Sequence, residues 1–137
     1  MNKTMVLVMT AVLIFCGLSD ASTIMIPDGF HQEYYSNGNI KSEANYKDGL
    51  REGWFKEYYE DGKLKVEGNY QQGFRDGESK EYFQNGTLWI VSNHKENELF
   101  GSLREYREDG SLKKEGIYNK GKPEGVFKMY YPTTMLS

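Results

Sequence analysis

Gly29, Gly53, Gly77, Gly101 and Gly125 recur at one constant interval of twenty-four positions, and a tyrosine follows each at the fifth place: Tyr34, Tyr58, Tyr82, Tyr106 and Tyr130. A chain with one fixed period folds as copies of one small unit, each burying apolar surface against its neighbours. Further columns keep the same register. Gly38, Gly62, Gly86 and Gly110 come at the ninth place after the first four frame glycines, and Ile40, Leu64, Leu88 and Leu112 two places later. Tyr46, Tyr70, His94 and Tyr118 follow, then Gly49, Gly73, Asn97 and Gly121. Every glycine beyond the N-terminal segment falls on a repeat position once Gly68 is matched with Gly116, and so does every tyrosine, with Tyr35, Tyr59 and Tyr131 in one column. The units are 29–52, 53–76, 77–100 and 101–124, with a partial unit over 125–134, and the array spans 29–131.

Each unit reads as two strands. Asn37-Gly38, Asp61-Gly62, Asn85-Gly86 and Asp109-Gly110 predict two-residue type I′ turns, in which both central residues take positive φ. Gly38, Gly62, Gly86 and Gly110 are therefore structural residues. A second turn uses Asp48-Gly49, Gln72-Gly73 and Lys120-Gly121, the same chemistry with looser first residues, with Asn97 in place of glycine in the third unit. Between turns the period is 2. Leu64, Val66, Gly68 and Tyr70 are expected on one face, with Lys65, Glu67 and Asn69 on the other. Trp54, Lys56 and Tyr58 share a face opposite Phe55, Glu57 and Tyr59. Glu33, Glu57, Glu81 and Glu105 form a column pointing away from the column of Gln32, Lys56, Lys80, Arg104 and Lys128. Abundant Gly and Tyr with little Ala suit strands and turns. The expected fold is all-β: an elongated single-layer antiparallel meander of about nine strands, extending roughly 40 Å. Pro27 and Pro132 flank it and cannot extend the ladder.

The N-terminus has another character. Lys3 precedes an apolar run from Met5 to Gly17, broken only by Thr10, and Ser19-Asp20-Ala21 ends in small residues. Residues 1–21 read as an export signal cleaved after Ala21, followed by a short leader over 22–28. Cys16, the only cysteine, lies in the apolar run at the end of Leu13-Ile14-Phe15-Cys16, which opens lipidation at Cys16 as the alternative to cleavage. Either route places the protein outside the cytoplasm, in the periplasm or beyond, without a disulfide.

Runs such as Gly53-Trp54-Phe55-Lys56-Glu57-Tyr58-Tyr59-Glu60-Asp61-Gly62-Lys63-Leu64-Lys65, followed by Glu67-Gly68-Asn69-Tyr70, resemble the bacterial variant of the MORN (membrane occupation and recognition nexus) repeat. The pattern is similar to that of the YwqK-type antitoxin family. The resemblance covers nearly all of 29–131. It implies an elongated twisted sheet without catalysis, used for protein or lipid contact. In antitoxin-like members it implies neutralising a cognate toxin, a role that here would act outside the cytoplasm.

The side chains point the same way. His31 and His94 lie in different units, far apart in the chain, and pair with no cysteine, so no metal site is expected. The carboxylates follow the repeat, and Asp48, Asp61 and Asp109 precede turn glycines. There is no phosphate loop and no nucleophile elbow. No catalytic residue and no cofactor are expected. The net charge of −3 disfavours nucleic acid. Binding information should lie where the units disagree. In the third unit Trp89 replaces the lysine of Lys41, Lys65 and Lys113, and Val91 replaces the glutamate of Glu43, Glu67 and Glu115. His94 replaces a tyrosine and Phe100 an acid. Trp89, Val91, His94 and Phe100, with Trp54, form the expected partner-binding patch, Trp89 and Val91 sharing one otherwise charged face. Trp89→Lys is expected to leave stability nearly intact. The expected role is protein–protein interaction at the cell envelope. Toxin neutralisation and contact with lipid or glycan are the alternatives.

Overall fold

The computed structural model describes residues 26–132; the export segment with Cys16, most of the leader and positions 133–134 of the partial unit lie outside the described residues. Ten strands make one open antiparallel sheet: β1 (Gly29–Tyr34), β2 (Ile40–Lys47), β3 (Leu50–Tyr58), β4 (Leu64–Gln71), β5 (Phe74–Arg75), β6 (Gly77–Tyr82), β7 (Leu88–Lys95), β8 (Glu98–Tyr106), β9 (Leu112–Asn119) and β10 (Lys122–Met129). Spatial order follows chain order, and β5 pairs with β4 beside the main path. The single-layer meander expected from the repeat is the fold, and β5 is the start of a β6-type strand cut off at Asp76. Pro123 sits in β10, an edge strand, where its missing N–H costs least.

Type I′ geometry, expected at both turns of each unit, is found at only one of them. The type I′ turns are the second ones. Positive φ is taken by both residues of Asp48-Gly49 (51° and 75°), Gln72-Gly73 (50° and 84°), Glu96-Asn97 (52° and 70°) and Lys120-Gly121 (48° and 72°). At Asn37-Gly38, Asp61-Gly62, Asn85-Gly86 and Asp109-Gly110 only the glycine has positive φ. There the loop is longer: Tyr35 N–H bonds Asn39 O (2.8 Å) and Gly38 N–H bonds Tyr35 O (3.0 Å). The side chain explains the switch. Asn37 Oδ1 accepts the N–H of Asn39 at 2.9 Å, and Asp61, Asn85 and Asp109 do the same two residues on. This Asx turn holds the first residue at negative φ and leaves the left-handed position to glycine.

Two irregularities recur in each unit. In the first, Tyr58 pairs with Leu64 but Glu57 with Val66, so Lys65 has no partner. Lys41, Trp89 and Lys113 occupy the same bulge slot. The extra residue turns Leu64 onto the Trp54 face and leaves Val66 on the Phe55 face, so the strict alternation expected from Leu64 to Tyr70 fails. The bulge also brings adjacent side chains to one side: Lys113 Nζ and Lys114 Nζ each lie 2.7 Å from Glu105. The second irregularity holds the frame glycines. Tyr46 pairs with Arg51 but Ala44 with Phe55, leaving Glu52-Gly53-Trp54 opposite one residue. Gly53 takes φ +81° there, so the glycine that marks the period marks a bulge.

The core is one row across the sheet on the Phe55 face, where each large residue is flanked by small ones. His31 pairs with Ala44, Ala44 with Phe55 and Phe55 with Gly68; farther on, Ser79 pairs with Ser92, Ser92 with Leu103 and Leu103 with Gly116. Phe55 is 1 % exposed and meets the edge of Tyr70 at 4.7 Å. A Cβ at Gly68 would come within 2.9 Å of the Phe55 ring, so glycine is needed there for close approach. Neighbouring units are also laced by side chains. Tyr35 Oη donates to Tyr58 O and Tyr59 Oη to Tyr82 O, each at 2.7 Å, and Arg107 donates to Tyr130 O in the same column.

Candidate functional site

The regular pairing builds a charged row across the Trp54 face: Gln32, Glu43, Lys56, Glu67, Lys80, Val91, Arg104, Glu115 and Lys128 are successive cross-strand partners or register neighbours. A tyrosine from the next unit reaches each glutamate. Tyr58 Oη donates to Glu43 (2.7 Å), Tyr82 Oη to Glu67 (2.7 Å) and Tyr130 Oη to Glu115 (2.8 Å). Burial, then the bond to the carboxylate, pushes Tyr58 and Tyr82 up to about 12. Opposite charges on directly paired residues stabilise a sheet modestly and fix its register.

Beside this row lies an aromatic pair. Trp54 and Phe30 are 45 % and 51 % exposed and their rings are 5.7 Å apart. Lys56 Nζ lies 5.9 Å from the Trp54 ring centroid. Trp54 borders a shallow open hollow of about 540 Å³, with Lys56, Glu67, Asn69, Glu78 and Lys80 around its rim. The hollow follows from the sheet. The β4–β6 ladder holds only Val66↔Glu81 and Glu67↔Lys80, whereas β2–β3 and β7–β8 each continue one pair farther, through Ala44↔Phe55 and Ser92↔Leu103. The β4–β6 pairing stops short of Gly68, which lies in the hollow.

The structure does not gather the five expected patch residues. Trp89, in the bulge slot, lies on the Phe55 face against Phe83, with ring centroids 5.4 Å apart. Val91 belongs to the charged row on the other face, so the two do not share a surface; the bulge separates them. His94 is on the Phe55 face, paired with Gly77 and Leu99. Its Nδ1 is buried without a partner, and burial, then Arg75, holds the imidazole below its ordinary value and neutral. Phe100 is 47 % exposed beside the Glu96-Asn97 turn, with Lys95 Nζ 5.8 Å from its ring. Trp54 alone joins an exposed aromatic cluster on the charged face. Phe30, in the Trp54 column, and Phe83, which breaks the column of Tyr35 and Tyr59, were not among the expected residues. Among the described residues no group of three His, Cys, Asp or Glu side chains is placed to hold a metal ion. The surface offers aromatic contact and ion pairing.

Three segments of equal length, 27–48, 51–72 and 75–96, match the family model described as MORN repeat variant. The first three units match this MORN variant. The matched MORN segments keep the interval of the glycine frame, and they end at Asp48, Gln72 and Glu96, each the first residue of a type I′ turn pair. The same hairpin continues through β8, β9 and β10, past the last matched residue. MORN repeats commonly serve as protein- or membrane-interaction modules and are generally non-catalytic. No curated protein matches the chain.

Proposed function

We propose that the chain is an exported, non-catalytic interaction module that docks a protein partner on its charged face, with Trp54 and Phe30 as the anchor. The observation that carries this reading is the tilted ring pair, about half exposed, beside the charged row. Exposed aromatics ringed by polar groups are the usual energetic centre of a protein interface. Export is supported by the apolar run from Met5 to Gly17 and the small residues of Ser19-Asp20-Ala21. The test is crosslinked capture from the cell envelope with the mature chain and with a Trp54→Ala, Phe30→Ala double variant. One dominant partner lost with the double variant is expected, and equal recovery by both baits overturns the reading. The partner's identity separates an envelope scaffold from an inhibitor of a cognate toxin. Co-sedimentation with anionic vesicles, abolished by the same substitutions, would assign the anchor to lipid instead.

A further inference from the structure

The charged row has one gap. Val91 takes the place of Glu43, Glu67 and Glu115, and its cross-strand partners are both cationic: Lys80 on β6 and Arg104 on β8. The other three positions show what normally fills this place. Each holds a carboxylate that accepts a tyrosine O–H from the following unit and lies beside a basic or amide side chain of the row. Glu43 takes Gln32 Nε2 at 2.8 Å; Glu115 takes Lys128 Nζ at 3.4 Å and Arg104 Nε at 3.6 Å. The tyrosine that belongs to position 91 is Tyr106. Among the described residues its hydroxyl donates to no acceptor, while its three counterparts each hold a glutamate.

Thus one tyrosine hydroxyl and two cations border a place where the repeat puts a carboxylate and this unit does not. We propose that the Val91 gap is a docking site for a carboxylate supplied by a protein partner, an Asp or Glu side chain that completes the row in trans. The inference rests on reading this face as a protein-docking surface. Lys80 is already paired at 3.1 Å with Glu78, two residues along its own strand, and Arg104 with Glu115 on the strand beyond it. Both cations stay partly exposed, their side chains at 40 % and 55 %, so an incoming group can still reach them. Val91 supplies an apolar floor that excludes water beneath it, which strengthens a charge-assisted hydrogen bond. An aspartate or glutamate entering here would accept from Tyr106 Oη and pair with Arg104, in the arrangement Glu115 has with Tyr130 and Lys128.

The site can be probed without knowing the partner. The folded chain would be titrated with acetyl-tetraglutamate amide, acetyl-tetraglutamine amide and inorganic phosphate, and amide chemical shifts followed residue by residue. Saturable shifts at Lys80, Val91, Arg104 and Tyr106 are expected with the glutamate peptide only. Val91→Glu fills the gap from within, and should raise the melting temperature and weaken the peptide at least tenfold. Tyr106→Phe, which removes one hydrogen bond, should weaken it roughly threefold to tenfold. Shifts spread evenly over Lys56, Lys80, Arg104 and Lys128, or unchanged binding by Val91→Glu, would overturn the proposal. Tighter binding of phosphate at the same residues would also overturn it, in favour of a general anion site. Failure here leaves the Trp54-dependent capture untouched, and failure of that capture leaves the titration interpretable.

Discussion

The junction between the second and third units and the junction between the third and fourth are held together in different ways. At the first, side chains do much of the joining: Tyr59 reaches Tyr82 O, Tyr82 reaches Glu67, and Asn97 Oδ1 accepts the Arg75 N–H at 2.7 Å. Its β4–β6 ladder is the short one. At the second, Phe83 has no hydroxyl for Tyr106 O, Val91 has no carboxylate for Tyr106, and Gly121 has no side chain to cap Leu99. The β7–β8 ladder is longer, and Phe83, instead of clasping the fourth unit, packs on Trp89 within its own unit. The junction between the first and second units has both, the longer ladder and two tyrosine links, Tyr35 to Tyr58 O and Tyr58 to Glu43. The departures of the third unit are therefore two coupled pairs: 83 with 89 on one face, 91 with 106 on the other.

Several substitutions would break or sharpen that contrast. Phe55→Ala should cost about 3–5 kcal/mol in urea denaturation, because it empties the row between Ala44 and Gly68, next to the side-chain-rich junction. Leu103→Ala, in the equivalent place under the ladder-rich junction, should cost less, about 2–3 kcal/mol; equal losses would mean that the two junctions share one core. Gly62→Val should lower stability by at least about 1–2 kcal/mol, since valine at φ +85° is strained even though the space is open. An unchanged melting temperature would show that the turn relaxes. Trp89→Lys should cost about 1 kcal/mol, not zero as the sequence alone suggested, because the ring packs on Phe83. Phe83→Tyr should gain about 0.5–1 kcal/mol by restoring the clasp to Tyr106 O, and slow amide exchange at that junction; no gain would show that Trp89 blocks the hydroxyl.

The smallest expected effect is one of pH. Burial raises the Glu105 carboxyl, but bonds from Lys113 and Lys114 outweigh it and hold the group below its ordinary value of 4.5. A depressed folded value means stability that is present above pH 4.5 and lost as pH falls through the folded value. Glu105→Gln should flatten the acid limb of the stability curve, and an unaltered limb would show that the two lysines are solvated instead.

Fold and period were legible because glycine spacing is a backbone constraint, and the backbone is the same in every unit. What the sequence hid was local. An Asn-Gly pair is compatible with two turn geometries, and the choice is made by whether Asn37 Oδ1 captures the Asn39 N–H. A bulge adds one residue without leaving a mark in the alternation of residue types, so Trp89 and Val91 read as neighbours on one face. For the same reason the binding candidates were named but not correctly grouped. Val91 was visible as a departure, whereas its meaning required seeing that Tyr106 stands where three other tyrosines hold a glutamate.

The paired bulges in every unit have a consequence for evolution by duplication. Because each copy carries its own twist and its own change of register, a whole unit can be inserted or removed and the strands on either side still meet in phase. One copy more would lengthen the sheet by about 10 Å, the width of two strands, without re-tuning the rest. The molecule is thus a ruler with fixed graduations, and a gap such as Val91 can be set at a chosen distance from an anchor such as Trp54 by counting units.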